Sequence, residues 1–416
     1  MPHIDWQQEK LTEFIKDFYE EHPRVTERTE AEVEAWRKER NITIEGQAAK
    51  PITSWVEARL PDYICDYIEA KHFVTPTTIQ CQALPIACGG GDLVAISETG
   101  SGKTLAYAIP ACMHINAQPT TEESPGPIAL VVAPTRELAM QILEEFKAVG
   151  GSTGIESVAT YGGISRTTQL PAMARGAFDV LIATPGRLID YICSEDVQLK
   201  RVTYLVIDEA DRMINEGFEM STLAPPKFSA TWPPEVRQLA DKYLKNATRV
   251  TVGQDEIIAA KAVSEFCSRS AGSEKRTPLM ELLKEEGEKR GRVLVFVNTK
   301  HTCADLTQLL WTDEAKWQVM SLQGDKRQEE RDLALNEFRA GTMPILVATD
   351  LAQRGLDIPN VTLVVNFDAP NEITSYVHRI GRTGRAGHEG RSITFLSGSR
   401  DYSEHVPPVS TPLSPC

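Results

Sequence analysis

Residues 93–104 read LVAISETGSGKT. The four apolar residues at its start predict a short strand buried on both faces. Ser97-Glu98-Thr99-Gly100-Ser101-Gly102-Lys103-Thr104 then forms a polar, glycine-rich loop, and LAYAIPA follows as a helix. Glycines let the backbone curl until successive N–H groups converge on phosphate oxygens. The helix behind the loop adds the positive end of its dipole. In a loop of this kind Lys103 pairs with the β- and γ-phosphates and the Thr104 hydroxyl meets Mg²⁺. The first loop position holds Ser97 where the strict pattern has glycine.

Hydrolysis at a phosphate loop requires a second carboxylate carried by another strand. Tyr204–Ile207 reads as such a strand and runs into Asp208-Glu209-Ala210-Asp211. Asp208 is placed to hold Mg²⁺ through water, and Glu209 to orient and deprotonate the attacking water.

Working outward, further apolar runs flank these two: IALVVAP (128–134) and VLIATP (180–185). Helix-like sequence separates them, the pattern of a parallel sheet covered on both sides. A second series follows with RVLVFVNT (292–299), PILVATD (344–350), VTLVVNF (361–367) and SITFL (392–396). The expected organisation is a charged N-terminal flanking segment (1–50), one α/β domain (51–245), an irregular linker region (246–277), a second α/β domain (278–397) and a disordered Ser/Pro tail (398–416). Thr29-Glu30-Ala31-Glu32 predicts a capping box and a solvated helix toward Arg40.

The 416 residues carry 44 basic and 58 acidic side chains, a net charge of −14. With 41% apolar and 25% charged residues, the chain is neither disordered nor fibrous. A sequence pI of about 5.2 excludes coating of nucleic acid by bulk positive charge. No apolar run approaches the ~18 residues of a membrane span, and MPHIDWQQEK lacks the apolar core of a secretory signal. Eight cysteines without a CxxC pair point to reduced thiols rather than zinc or disulfides.

The phosphate loop together with Asp208-Glu209-Ala210-Asp211 resembles the DEAD-box RNA helicases, and the resemblance extends over about residues 13–400. Phe73 with Pro76-Thr77-Thr78-Ile79-Gln80 is similar to the Q motif, whose Phe stacks on adenine and whose Gln reads it. Pro134-Thr135-Arg136-Glu137-Leu138-Ala139, Gly162-Gly163 and Thr184-Pro185-Gly186-Arg187 resemble the RNA-contact motifs of the first domain. Ser229-Ala230-Thr231 resembles the motif that couples ATP state to RNA clamping. Val297-Asn298-Thr299-Lys300, Ala348-Thr349-Asp350 through Arg354-Gly355-Leu356-Asp357, and His378-Arg379-Ile380-Gly381-Arg382-Thr383-Gly384-Arg385 continue the match. FSATWPPEVRQLA (228–240) resembles a nuclear RNA-processing subgroup.

The resemblance implies two tandem RecA-like domains, each a mostly parallel sheet with helices on both faces. It implies ATP and Mg²⁺ as nucleotide and metal, and RNA bound through sequence-independent backbone contacts. Lys103, Asp208, Glu209, Arg382 and Arg385 would be catalytic. Phe73, Gln80, Ser97 through Thr104 and Asp357 would bind nucleotide, with Thr104 and Asp208 at the metal. Pro134, Arg136, Gly163, Thr184, Gly186, Arg187, Thr349 and Arg354 would hold RNA, and Ser229, Thr231 and His378 would couple the two events. The chain is expected to work as a monomer, with RNA-processing protein partners, in the nucleus or the cytoplasm and without a membrane.

One departure bears on activity. Only Met220–Lys227 separates Glu219 from Phe228, a shorter segment than the family's, and it contains Pro225-Pro226. Proline avoids central strands, so the strand before Ser229 is expected to be lost. The alternative expectation is then a catalytically impaired RNA-binding or scaffold form.

Overall fold

The computed structural model describes residues 14–97, 100–118, 126–174, 178–215, 227–229, 244–253, 263–269, 275–289, 291–314, 316–350, 361–370, 373–384 and 390–396. The chain divides into two compact units, Met1–Asp255 and Glu256–Cys416. Expectations placed on Glu98, Thr99, Thr231, Arg354, Asp357, Arg385 and the 398–416 tail lie outside the described residues.

Among its described residues the first unit holds eight strands: β1 (Ile42–Glu45), β2 (Leu93–Ile96), β3 (Ala129–Val132), β4 (Ser157–Thr160), β5 (Val180–Ala183), β6 (Tyr204–Asp208), β7 (Lys227–Ser229) and β8 (Thr248–Val252). Their order across the sheet is β1-β8-β2-β7-β6-β3-β5-β4. All neighbours run parallel except β1, which pairs antiparallel with β8. The inner strands β2, β3 and β5 are buried along their whole length, as apolar runs covered on both faces must be. One core layer joins Ala95, Val131 and Ile182 to Tyr107, Ile142 and Phe146, and the opposite layer joins Leu130, Leu181 and Ile207 to Leu188 and Met213. The described residues of the second unit build a six-stranded parallel sheet of β9 (Val263–Arg269), β10 (Arg292–Val297), β11 (Val319–Leu322), β12 (Ile345–Thr349), β13 (Val361–Asn366) and β14 (Gly390–Leu396), in the order β11-β12-β10-β13-β14-β9.

Three expectations are corrected. The strand before Ser229 is present: β7 lies between β2 and β6, with Ala95 opposite Phe228 and Asp208 opposite Phe228. The two prolines precede Lys227 in sequence and so leave the ladder positions to residues that can donate. The 246–277 stretch is not irregular throughout, because it contributes β8 to the first sheet and β9 to the second. The N-terminal segment is not merely solvated. The capping box at Thr29 and Glu32 opens the helix Glu30–Glu39 as expected, but Val25 and Val33 are buried and β1 joins the sheet. Among the described residues no helix is long and apolar enough to cross a membrane.

Candidate nucleotide and RNA sites

The parallel arrangement sends the carboxyl ends of seven strands to one rim of the first sheet, where open α/β sheets bind ligands. Across that rim the sequence motifs fall in spatial order. The phosphate loop follows β2, Ser229 ends β7, Asp208 ends β6, Pro134 and Arg136 follow β3, Thr184 follows β5 and Gly163 follows β4.

At the phosphate loop, Gly100 (φ 82°) and Gly102 (φ 89°) adopt left-handed backbone. A side chain at Gly102 would place its Cβ 2.5 Å from Gln80 Nε2. Lys103 begins the helix Lys103–Asn116, is nearly buried, and its Nζ donates to the Ser97 carbonyl. The hydroxyls of Ser97 and Ser101 lie 2.7 Å apart across the loop. Gln80 connects this loop to its own helix start: its Oε1 accepts from the Thr77 N–H at 2.9 Å and its Nε2 donates to the Gly102 carbonyl at 3.0 Å. Phe73 is exposed, with its ring edge-on to Tyr67 at 6.2 Å.

Asp208 is buried where β6 ends. Its Oδ1 accepts from the Glu209 N–H at 2.9 Å, and its Oδ2 accepts from the Tyr107 hydroxyl at 2.9 Å. Burial, reinforced by the Glu209 charge, pushes its carboxyl up to about 6, while the Lys103 ammonium pulls the other way. A bound cation would favour the ionised form that burial opposes. Glu209 has φ 51°, a left-handed conformation rare outside glycine. Its Oε2 accepts from Arg212 at 2.6 Å, both side chains being nearly buried. The buried ion pair with Arg212 holds this strained conformation in place. Among the described residues no cluster of three or more His, Cys, Asp or Glu forms a self-sufficient metal site. The Thr104 hydroxyl and Asp208 carboxylate fit a cation whose remaining ligands come from phosphate and water.

Along the rest of the rim, Arg136 starts the helix Arg136–Gly150 behind the Thr135 cap, and its guanidinium lies 4.7 Å over the Tyr161 ring. Gly163 (φ 86°) and Gly186 are open to approach, with nothing within 4 Å of a would-be Cβ. Thr184 caps the helix Pro185–Cys193, and Arg187 reaches the Ile164 carbonyl at 2.9 Å. Pro134 is buried beneath them.

In the second unit Thr349 ends β12, with Asp350 directly behind it. Arg379, on the helix Ile373–Ile380, is fully buried. It donates to both oxygens of Asp350 at 2.6 Å, to Asn298 Oδ1 at 2.7 Å and to the Asp368 carbonyl at 2.7 Å. His378 and Arg382 are buried beside it, and Arg382 Nε donates to the His378 carbonyl at 3.2 Å.

Sequence reasoning gave no role to Tyr107, Arg212 or Tyr161, and singled out Arg379 only as part of the matched His378–Arg385 stretch. Tyr107 lies three residues after Thr104, a spacing that places side chains on one helix face, and Arg212 lies three after Glu209. That signal was available. Tyr161 acts across elements distant in sequence, and no local pattern points to it; nor does one point to the pairing of Arg379 with Asp350.

The rim and its loop define a nucleotide-binding α/β protein of the P-loop, RecA-like class. A DEAD/DEAH box helicase profile matches residues 77–239, and a helicase conserved C-terminal domain profile matches residues 274–387. The ATP-dependent RNA helicase DBP2 of Chaetomium thermophilum is 45% identical over 94% of this chain and 73% of its own length. Its namesake from Candida glabrata is 46% identical over 94% and 74%. Among solved structures, Mss116p bound to ssRNA and AMP-PNP superposes with a TM-score of 0.73 at 27% identity, covering 85% of this chain and 77% of that one. S. cerevisiae Dbp5 bound to RNA and ADP BeF3 gives 0.71 at 29% identity, covering 84% and 91%. The chain belongs to the DEAD-box family of ATP-dependent RNA helicases.

Proposed function

We propose that this chain clamps RNA and locally unwinds duplexes, or remodels RNA–protein complexes, by hydrolysing ATP to ADP and phosphate between its two RecA-like units. The observation that carries the reading is the set of Lys103, Asp208 and Glu209 at the ends of β2 and β6, with β7 paired between those strands.

Phe73 would stack on the adenine and Gln80 would read its edge, while Ser97–Thr104 cradle the phosphates and Asp357 holds the ribose. Glu209 accepts a proton from water as the water oxygen attacks the γ-phosphorus, and the bridging oxygen leaves with ADP. Lys103 neutralises charge on the transferring group. Thr104 and Asp208 would hold Mg²⁺, which would supply further positive charge to the phosphates. Arg382 and Arg385 serve as arginine fingers from the second unit.

RNA lies along Arg136, Gly163, Thr184, Gly186 and Arg187, with Thr349 and Arg354 holding the next stretch. Contacts to phosphate and sugar fix position without reading bases, so sequence preference is weak. Ser229, Thr231 and His378 couple nucleotide state to this clamp. The DBP2 relatives are named ATP-dependent RNA helicases, and the Dbp5 and Mss116p structures hold RNA, which supports the assignment. We place the protein in RNA processing, as a monomer, in the nucleus with a cytoplasmic alternative.

The test is ATP hydrolysis by the purified chain with and without single-stranded RNA, followed by release of a short duplex. RNA-stimulated turnover that Glu209→Gln abolishes is the expected result. RNA binding with no turnover above that variant would instead identify the impaired scaffold form. RNA affinity is also expected to rise with a non-hydrolysable ATP analogue, because the net charge of −14 gives little bulk attraction.

A further inference from the structure

We propose that Tyr107 is a positioning residue that holds the Asp208 carboxylate preformed for the divalent cation of the nucleotide. The inference rests on the site reading above and assigns a role to a buried phenol that the reaction itself does not use.

Tyr107 is fully buried in the helix that starts at Lys103. Its hydroxyl stands 2.9 Å from Asp208 Oδ2. An ionised carboxylate only accepts, so the phenol donates its single proton to Asp208. Asp208 is fixed from the other side by the Glu209 N–H on Oδ1. Both oxygens of the carboxylate assigned to the metal are thus oriented before the cation arrives.

The brace is itself held rigidly. The Tyr204 hydroxyl donates to the Tyr107 carbonyl at 3.1 Å. Tyr204 opens β6 and Asp208 closes it, so residue 107 is bonded to both ends of one strand. The ring packs against Phe146 at 6.3 Å and has no room to swing away. Partners that orient a metal's ligands are worth about 10- to 100-fold in metal affinity.

Calorimetric binding of ADP to the full chain, once with Mg²⁺ and once with EDTA, tests the assignment. Tyr107→Phe keeps the ring and removes only the hydroxyl. Its affinity for ADP in EDTA should match the wild type, which also reports that the site is folded. The gain in affinity on adding Mg²⁺ should shrink about tenfold. In an Asp208→Asn background the same substitution should cause no further loss, since the pair acts as a unit. A wild-type gain that Tyr107→Phe leaves intact overturns the inference alone. So does an equal loss with and without Mg²⁺, or a loss that persists in the Asp208→Asn background. A wild-type chain that binds ADP equally in both buffers overturns the site reading and this inference together.

Discussion

Arg379 and Asp350 form a two-pronged ion pair, with Nε and an Nη each 2.6 Å from a carboxylate oxygen. The guanidinium is fully buried, and its remaining donors go to Asn298 and the Asp368 carbonyl. Three strand ends, those of β10, β12 and β13, are therefore fastened by one side chain. Removing Arg379 strands the Asp350 carboxylate and empties a large volume. Arg379→Ala should cost about 3–5 kcal/mol in urea unfolding of the second unit. Arg379→Lys should recover little of it, because an ammonium does not match two oxygens at once.

Glu209 is held by Arg212 in a left-handed conformation. Glu209→Gln keeps the shape and removes the base proposed for the attacking water. RNA-stimulated turnover should fall by roughly 10²- to 10⁴-fold, while ATP affinity changes little. Stopped-flow phosphate release separates the two effects.

Gly102→Ala combines a left-handed φ of 89° with a Cβ 2.5 Å from the Gln80 amide. The backbone alone costs about 1–3 kcal/mol, and Gln80 must let go of the Gly102 carbonyl. Thermal unfolding should show a lower midpoint, and nucleotide binding should weaken in the same variant.

His114 is packed edge-on to Phe14 and Phe18, near the Tyr204 ring, and hydrogen-bonds to Thr203 at 2.7 Å and to Gln118. Burial lowers its pKa from 6.5 to about 4. The unfolded chain therefore binds a proton between those values that the folded chain refuses. Stability is full above about pH 6.5 and is lost as pH falls toward 4, by at most about 3 kcal/mol. His114→Gln keeps a partner for Thr203 without titrating. Its unfolding midpoint should fall less steeply than the wild type's between pH 6.5 and 4.5.

The buried centres of both sheets were legible because LVAI, ALVV, VLIA and RVLVFV carry apolar side chains on both faces. The strands that escaped are largely those at the margins. β1 (ITIE), β4 (SVAT), β9 (VSEFCSR) and β11 (VMSL) are the outermost strands of their sheets. A strand covered on fewer sides has less reason to be apolar, so its sequence reads as loop. β7 escaped for another cause: flanked by β2 and β6, it needs only three residues to complete the ladder. At the site, candidate residues could be named because phosphate and metal chemistry restrict residue type. The Tyr107–Asp208 and Arg379–Asp350 contacts could not, since a supporting hydrogen bond can be drawn from any residue that geometry brings near.

The pairing of β1 with β8 sets the order in which the first unit can be finished during synthesis. Ile42 lies opposite Val252 and Glu45 opposite Arg249, so the strand leaving the ribosome early finds its partner about 200 residues later. At ribosomal rates of about 5–20 residues per second, that wait lasts about 10–40 s. The first unit is thus sealed by β1, and only after β8 has been made.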